Sequence, residues 1–159
     1  MELKIDDKAP DFSLKDQNNK LTSLKNFKNK WLILYFYPKD NTPGCTIEAI
    51  DFTKHLPIFQ EMNTEVVGVS PDSPESHCGF IEKQKLEITL LSDPEQNMLK
   101  SYNVWKEKRF FIKKFMGVER TTYIIDPKGI IKYIWNKVQV AVHVEQVKEK
   151  LKELQSKLD

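Results

Sequence analysis

Tyr35-Phe36-Tyr37-Pro38-Lys39-Asp40-Asn41-Thr42-Pro43-Gly44-Cys45-Thr46-Ile47-Glu48 joins a buried strand to a helix, and the rest of the chain is organised around that junction. The apolar run 31–37 reads as the strand. Pro38 and Pro43 cannot sit in a central strand, so pairing should stop there. Gly44 interrupts the chain again, and a helical pattern begins near Cys45. The thiol therefore falls in a first helical turn, where free N–H groups and the helix dipole favour negative charge. The thiolate is the nucleophilic form of cysteine. Position alone leaves two readings of Cys45 open: a reactive thiol, or a small buried hydrophobe.

Upstream, residues 1–30 are polar with isolated apolar positions. The alternation in 9–14, after Pro10, reads as a short strand, and 16–20 as a turn. Downstream, 46–60 looks helical, with Ile47, Ile50 and Phe59 facing inward and Pro57 inside the pattern or at its end. Residues 65–70 form a second buried strand. Ser73-Pro74 is a helix start, with a serine cap and proline at the first helical position, and Cys78 lies in the opening turns. A short strand at 89–91 precedes another capped helix that opens at Asp93-Pro94. Residues 103–118 carry aromatics and lysines without a clean period and read as an irregular excursion with one or two short strands. Residues 121–125 and 130–135 flank Asp126-Pro127-Lys128-Gly129, the pattern of a hairpin closed by a type I turn. Val144, Val147, Leu151, Leu154 and Leu158 form one apolar stripe on a terminal helix. Alternating strands and helices imply parallel pairing, and the late hairpin adds antiparallel edges. The expected fold is α/β, a mixed sheet with helices on both faces, in a single domain spanning 1–159.

Charge nearly balances: 25 Lys and Arg against 23 Asp and Glu in 159 residues leave a net +2, which gives no pointer to nucleic acid. Only Arg109 and Arg120 are arginine. No run of about 18 apolar residues exists to cross a membrane, and the N-terminus lacks the apolar core of a leader. Cytoplasmic residence without a membrane partner is the expectation. Two cysteines are too few for a secreted disulfide framework. A bond between them in a reducing compartment would be transient and catalytic. Glu48 stands where a Cys-x-x-Cys pair would need its second cysteine, so a thiol–disulfide exchange motif is missing. His77 and Cys78 are adjacent, with His55 and His143 elsewhere, and no metal-ligand spacing emerges. Neither metal nor cofactor is expected.

These residues resemble a known family. Pro38-x-x-x-Thr42-x-x-Cys45 matches the active-site motif of peroxiredoxins, and 37–46 is similar to the bacterioferritin comigratory protein, or Q-type, branch. Residues 9–12, 69–73 and 120–126 resemble three further segments of that branch, in the right order, so the likeness runs from about residue 4 to 155. The resemblance implies a thioredoxin-like fold and reduction of hydrogen peroxide and organic hydroperoxides, through a thiolate, a sulfenic acid and recycling by thioredoxin or a similar dithiol. It also implies a monomer. By the same analogy Cys45 is the peroxidatic cysteine, Thr42 hydrogen-bonds thiolate and peroxide, Pro38 shields the pocket and Arg120 polarises the peroxide. A planar guanidinium presents several donors at once where lysine offers a point charge; read without the family, Arg120 is a surface residue. The chain departs from one common pattern: Ile50 occupies the place where many relatives carry a resolving cysteine. That role falls to Cys78, about one helical turn before the position, 80–82, where other relatives have theirs. The alternative is an external thiol.

Overall fold

The computed structural model describes residues 2–157. Among these, the order of elements is β1 (Ser13–Asp16), β2 (Leu21–Ser23), β3 (Trp31–Phe36), α1 (Pro43–Glu61), β4 (Thr64–Ser70), α2 (Pro74–Gln84), β5 (Thr89–Ser92), α3 (Asn97–Ser101), β6 (Trp105–Phe110), β7 (Lys113–Val118), β8 (Thr121–Ile125), β9 (Ile131–Trp135) and α4 (Val140–Ser156), with a short 3-10 turn before β3. Seven strands make one sheet in the order β2-β1-β5-β4-β3-β8-β9, and β6 with β7 stand apart as a two-stranded ribbon.

The parallel centre, β3-β4-β5, is what two βα crossovers must build. Every residue of β3 is buried, as expected of a strand covered on both faces. Its side chains alternate between two cores. Ile33, Tyr35 and Tyr37 pack under Ala49, Phe52 and Phe59 of α1, Phe80 of α2 and Val147 and Leu151 of α4. Leu32, Leu34 and Phe36 pack on the opposite face with Met98, Leu99 and Tyr102 at α3. The result is the mixed, thioredoxin-like sheet with helices on both faces that the sequence implies. At Gly68 of β4, an added Cβ would lie 2.7 Å from the Tyr35 ring and 2.9 Å from Leu90, so only glycine lets these core side chains close over the strand.

Several local expectations shift. The early strand is β1, which begins at Ser13, within the expected stretch 9–14, and runs two residues beyond it; Ala9 and Phe12 are buried but irregular. Within α1, Ile47 is exposed, because the inward face follows Cys45, Ala49, Phe52, Leu56 and Phe59 at steps of four and three. The helix runs through Pro57 to Glu61. Asp93 does act as a cap, accepting from the Asn97 and Leu99 amides at 3.1 and 2.8 Å, but the helix it opens begins only at Asn97. The one or two short strands expected within 103–118 are both present, as β6 and β7, but they pair in full register as an antiparallel hairpin, so the segment is regular. On α4, Val144, Val147 and Leu151 are buried against the chain's own sheet and Leu154 is half-buried; Leu158 lies outside the described residues.

Gly68→Ala forces a methyl group into the Tyr35–Leu90 contact. It should lower stability by about 1–3 kcal/mol, read as a lower urea midpoint at unchanged slope.

Candidate active site

The junction quoted at the outset closes as its residue types require. β3 ends at Phe36, Pro38 follows half-buried, and α1 starts with Pro43 at its first position after Thr42 as cap. Cys45 sits in that first turn, buried in the core beneath α1. The register pairs Phe36 with Thr121 on the antiparallel neighbour β8, which brings Arg120, the residue before β8, to the start of α1. Its guanidinium forks: Nη2 lies 3.0 Å from Cys45 Sγ and Nη1 donates to Glu48 Oε1 at 3.2 Å. Gly44 makes room, since a Cβ there would fall 2.9 Å from Nη2. Thr42 turns its hydroxyl proton to the Lys39 carbonyl at 2.8 Å. Lys108, on β6, is held below the usual lysine range, by burial first and the Arg120 cation second, with Glu119 and Cys45 acting the other way.

Glu48 is a residue that the sequence left unused. Three positions after Cys45 it shares the inward face of α1, and that i, i+3 spacing was the available signal. Its carboxyl is 1% exposed. Burial pushes it up to about 7, while Arg120 pulls the other way. One guanidinium thus faces two acids, a thiol and a carboxyl, at the mouth of a helix.

A second cluster holds the junction in place. Asp40 accepts from the Tyr37 hydroxyl at 2.6 Å on one oxygen, and from Ser76 at 2.7 Å on the other, where His77 Nδ1 also sits at 2.8 Å. His77 Nε2 lies 2.9 Å from the Leu91 carbonyl, so that nitrogen carries a proton. The Asp40 amide donates to Asp72 at 2.8 Å, and Ser70 donates to the same Asp72 oxygen at 2.7 Å. Burial raises the Asp40 carboxyl, but the bonds from His77, Tyr37 and Ser76 outweigh it and leave it below its usual value. Asp40, Asp72 and His77 bring ligand-type atoms within 4.8 Å of one another, a grouping the sequence spacing did not reveal. Those atoms already face protein partners, which marks the cluster as a latch between the loop and α2. Cys78 follows His77 directly on α2, partly buried, and both cysteines are free thiols.

The structure therefore gathers Cys45, Arg120 and the Pro38–Thr42 loop at one sheet edge, with Cys78 on the helix latched to that loop. Among the described residues no helix is long and apolar enough to cross a membrane. Residues 5–134 match the AhpC/TSA family. Peroxiredoxin Bcp of Bacillus subtilis (strain 168) is 43% identical over 157 residues, which cover 99% of this chain and 100% of that protein. A cysteine-to-serine mutant of Xylella fastidiosa PrxQ matches with a TM-score of 0.93 at 37% identity, covering 98% of this chain and 99% of that one. The Xanthomonas campestris bacterioferritin comigratory protein, studied for alkyl peroxide reduction through trapped intermediate and ligand complexes, matches with a TM-score of 0.86 at 38% identity, covering 89% of this chain and 90% of that one.

Glu48 and His143 set opposite pH slopes. Glu48 titrates near 7 when folded against 4.5 ordinarily. The folded chain binds more protons in that interval, so its stability falls as pH rises through it. His143 on α4 is buried, 2.8 Å from the Thr122 hydroxyl, and burial lowers it from 6.5 to about 4. There the unfolded chain binds more protons, and stability rises with pH. Glu48→Gln deletes the first slope. Its urea midpoint should climb between pH 4.5 and 6.5, where the wild type changes little because the two effects cancel.

Proposed function

This chain belongs to the AhpC/TSA family, among its Bcp and PrxQ peroxiredoxins, and from that premise we propose that Cys45 is the thiol on which its chemistry turns. The protein is a thiol-dependent peroxidase that reduces hydroperoxides. The observation that carries the assignment is the Arg120 Nη2 donor 3.0 Å from Cys45 Sγ at the first turn of α1. A cation and a helix start together set fixed positive charge and a donor beside the sulfur, where the thiol chemistry places negative charge.

The Cys45 thiolate attacks the hydroxyl-bearing oxygen of R–O–O–H and forms the S–O bond; the O–O bond breaks with its electron pair on the departing oxygen, and RO⁻ is protonated to ROH. Sulfur ends as Cys–SOH. Charge grows on the departing oxygen, where fixed donors contribute most, and Arg120 supplies them. The Thr42 hydroxyl gives its proton to Lys39, so its oxygen accepts from the incoming O–H. Pro38 narrows access to the sulfur. Cys78 then attacks the sulfenic sulfur, releasing water and forming a disulfide that a thioredoxin-type dithiol reduces by exchange. For the two sulfurs to meet, the first turn of α1 or the start of α2 must open, and the Asp40 latch must let go.

Cys45→Ser should abolish peroxide consumption without loss of fold; near-wild-type turnover would remove Cys45 from the mechanism. Arg120→Lys keeps the charge but not the fork and should cost about 10²–10³ in rate. Cys78→Ser should consume one equivalent of peroxide and then lose most thioredoxin-supported turnover. Normal turnover in that variant would assign resolution to an external thiol.

A further inference from the structure

The β6–β7 hairpin takes no part in the main sheet, and apart from Lys108, which neighbours Arg120, it has no role in the site above. Its tip is apolar and open: Phe110, Phe111 and Ile112 are 67%, 86% and 99% exposed. Isolated exposed apolar residues are ordinary, but three consecutive ones at the end of a ribbon are not. The turn itself is unfavourable. Phe111 holds φ +59°, a left-handed conformation that hairpin turns normally give to glycine or asparagine. Among the described non-glycine residues in that region, Phe111 is the only aromatic and five are asparagine. An aromatic kept at a strained tip points to a use for it.

The charge is equally lopsided. Lys106, Lys108, Arg109, Lys113 and Lys114 stand on the ribbon against Glu107 alone, a net of +4 in a chain whose total is +2. Everything outside the ribbon is therefore net acidic. Arg109 and Lys114 face each other directly across the two strands, a pairing that repels. Among the described residues none of the five has a carboxylate within ion-pair distance; Lys106 bonds only the Asn103 side-chain oxygen, at 3.2 Å.

We propose that the β6–β7 hairpin is a docking arm for anionic lipid surfaces, with Phe111 and Ile112 entering the headgroup boundary and the cations seated on the headgroups. Aromatic and aliphatic side chains belong at that boundary, and Lys and Arg beside it are drawn by the negative surface potential. A second copy of this chain fits worse, because apposing two such ribbons would add repulsion between their cations. The sequence expectation of no membrane partner addressed spanning segments; peripheral docking needs none. The ribbon leads through Glu119 into Arg120, so docking would hold the Cys45 site close to the lipid surface. This last consequence rests on the proposed role of Cys45, whereas docking does not.

The test is co-sedimentation of the reduced full-length protein with phosphatidylcholine vesicles, and with vesicles carrying about a third phosphatidylglycerol, where the surface potential is strongly negative. Binding to the anionic vesicles alone, lost at about 0.5 M salt where screening is nearly complete, is the expected result. Phe111→Asn with Ile112→Ser gives the turn a residue suited to its backbone; it should fold at least as well and bind about tenfold more weakly. Lys113→Glu with Lys114→Glu should abolish binding. Both variants should keep wild-type turnover of hydrogen peroxide. No sedimentation with anionic vesicles would overturn the proposal, as would equal binding to both compositions. So would concentration-dependent self-association that Phe111→Asn abolishes while vesicle binding is nil. Because binding is read without peroxide, its failure leaves the peroxidase assignment untouched.

Discussion

One guanidinium serving two buried acids is the constraint from which the site is built. A carboxyl with almost no exposure is costly to ionise unless a cation stands beside it, and among the described residues Arg120 is the cation paired with Glu48. The same cation is the donor nearest Cys45. A Cβ at residue 44 would fall 2.9 Å from Nη2, so the guanidinium could hold both contacts only by shifting away from the helix start. Glycine, arginine and glutamate thus form a single unit that pins the start of β8 to the start of α1. Replacing any one of them alters what the other two can do.

The Asp40 cluster does for the loop what Arg120 does for the helix. It ties the end of β3 to Ser76 and His77 on α2, to Asp72 beyond β4 and, through His77, to the β5 carbonyl of Leu91. Buried polar groups satisfied this fully specify one arrangement and resist others. The latch holds the loop in shape against the helix that carries Cys78, so any movement of Cys78 under the proposed mechanism is coupled to it. Rigidity before the peroxide step and yielding after it are asked of the same few hydrogen bonds.

Where physics is local, the sequence was legible. Prolines at 38 and 43, glycine at 44 and the apolar run before them located the strand, the helix start and the thiol within it. Ser73-Pro74 marked α2, and Asp126 to Gly129 marked the late hairpin. What stayed hidden depended on partners far along the chain. In the sequence Glu48 counted only as the residue that breaks a Cys-x-x-Cys motif; its contact with Arg120 spans 72 positions. Asp40 and His77 carry no spacing that betrays a contact across 37 residues. Ile47 and Ile50 lie three apart, a helical spacing, but burial follows Cys45, Ala49, Phe52, Leu56 and Phe59 and leaves Ile47 in solvent. The pairing of β6 with β7 was hidden because most of their aromatics and lysines face solvent, so no buried face enforced a period.

The position of β3 governs how this protein can be born. Its parallel neighbour β4 follows within some thirty residues, but its antiparallel neighbour β8 pairs Leu32 with Ile125. A chain emerging from the ribosome therefore exposes one edge of its most apolar strand until most of the polypeptide has been made. Non-local pairing of this kind slows folding, and an unpaired apolar edge invites other chains. Arg120 arrives just ahead of β8, so the strand that closes the edge also delivers the cation to the site. Nascent and truncated chains therefore carry Cys45 without the Arg120 guanidinium beside it, and the two meet only in the last stage of synthesis.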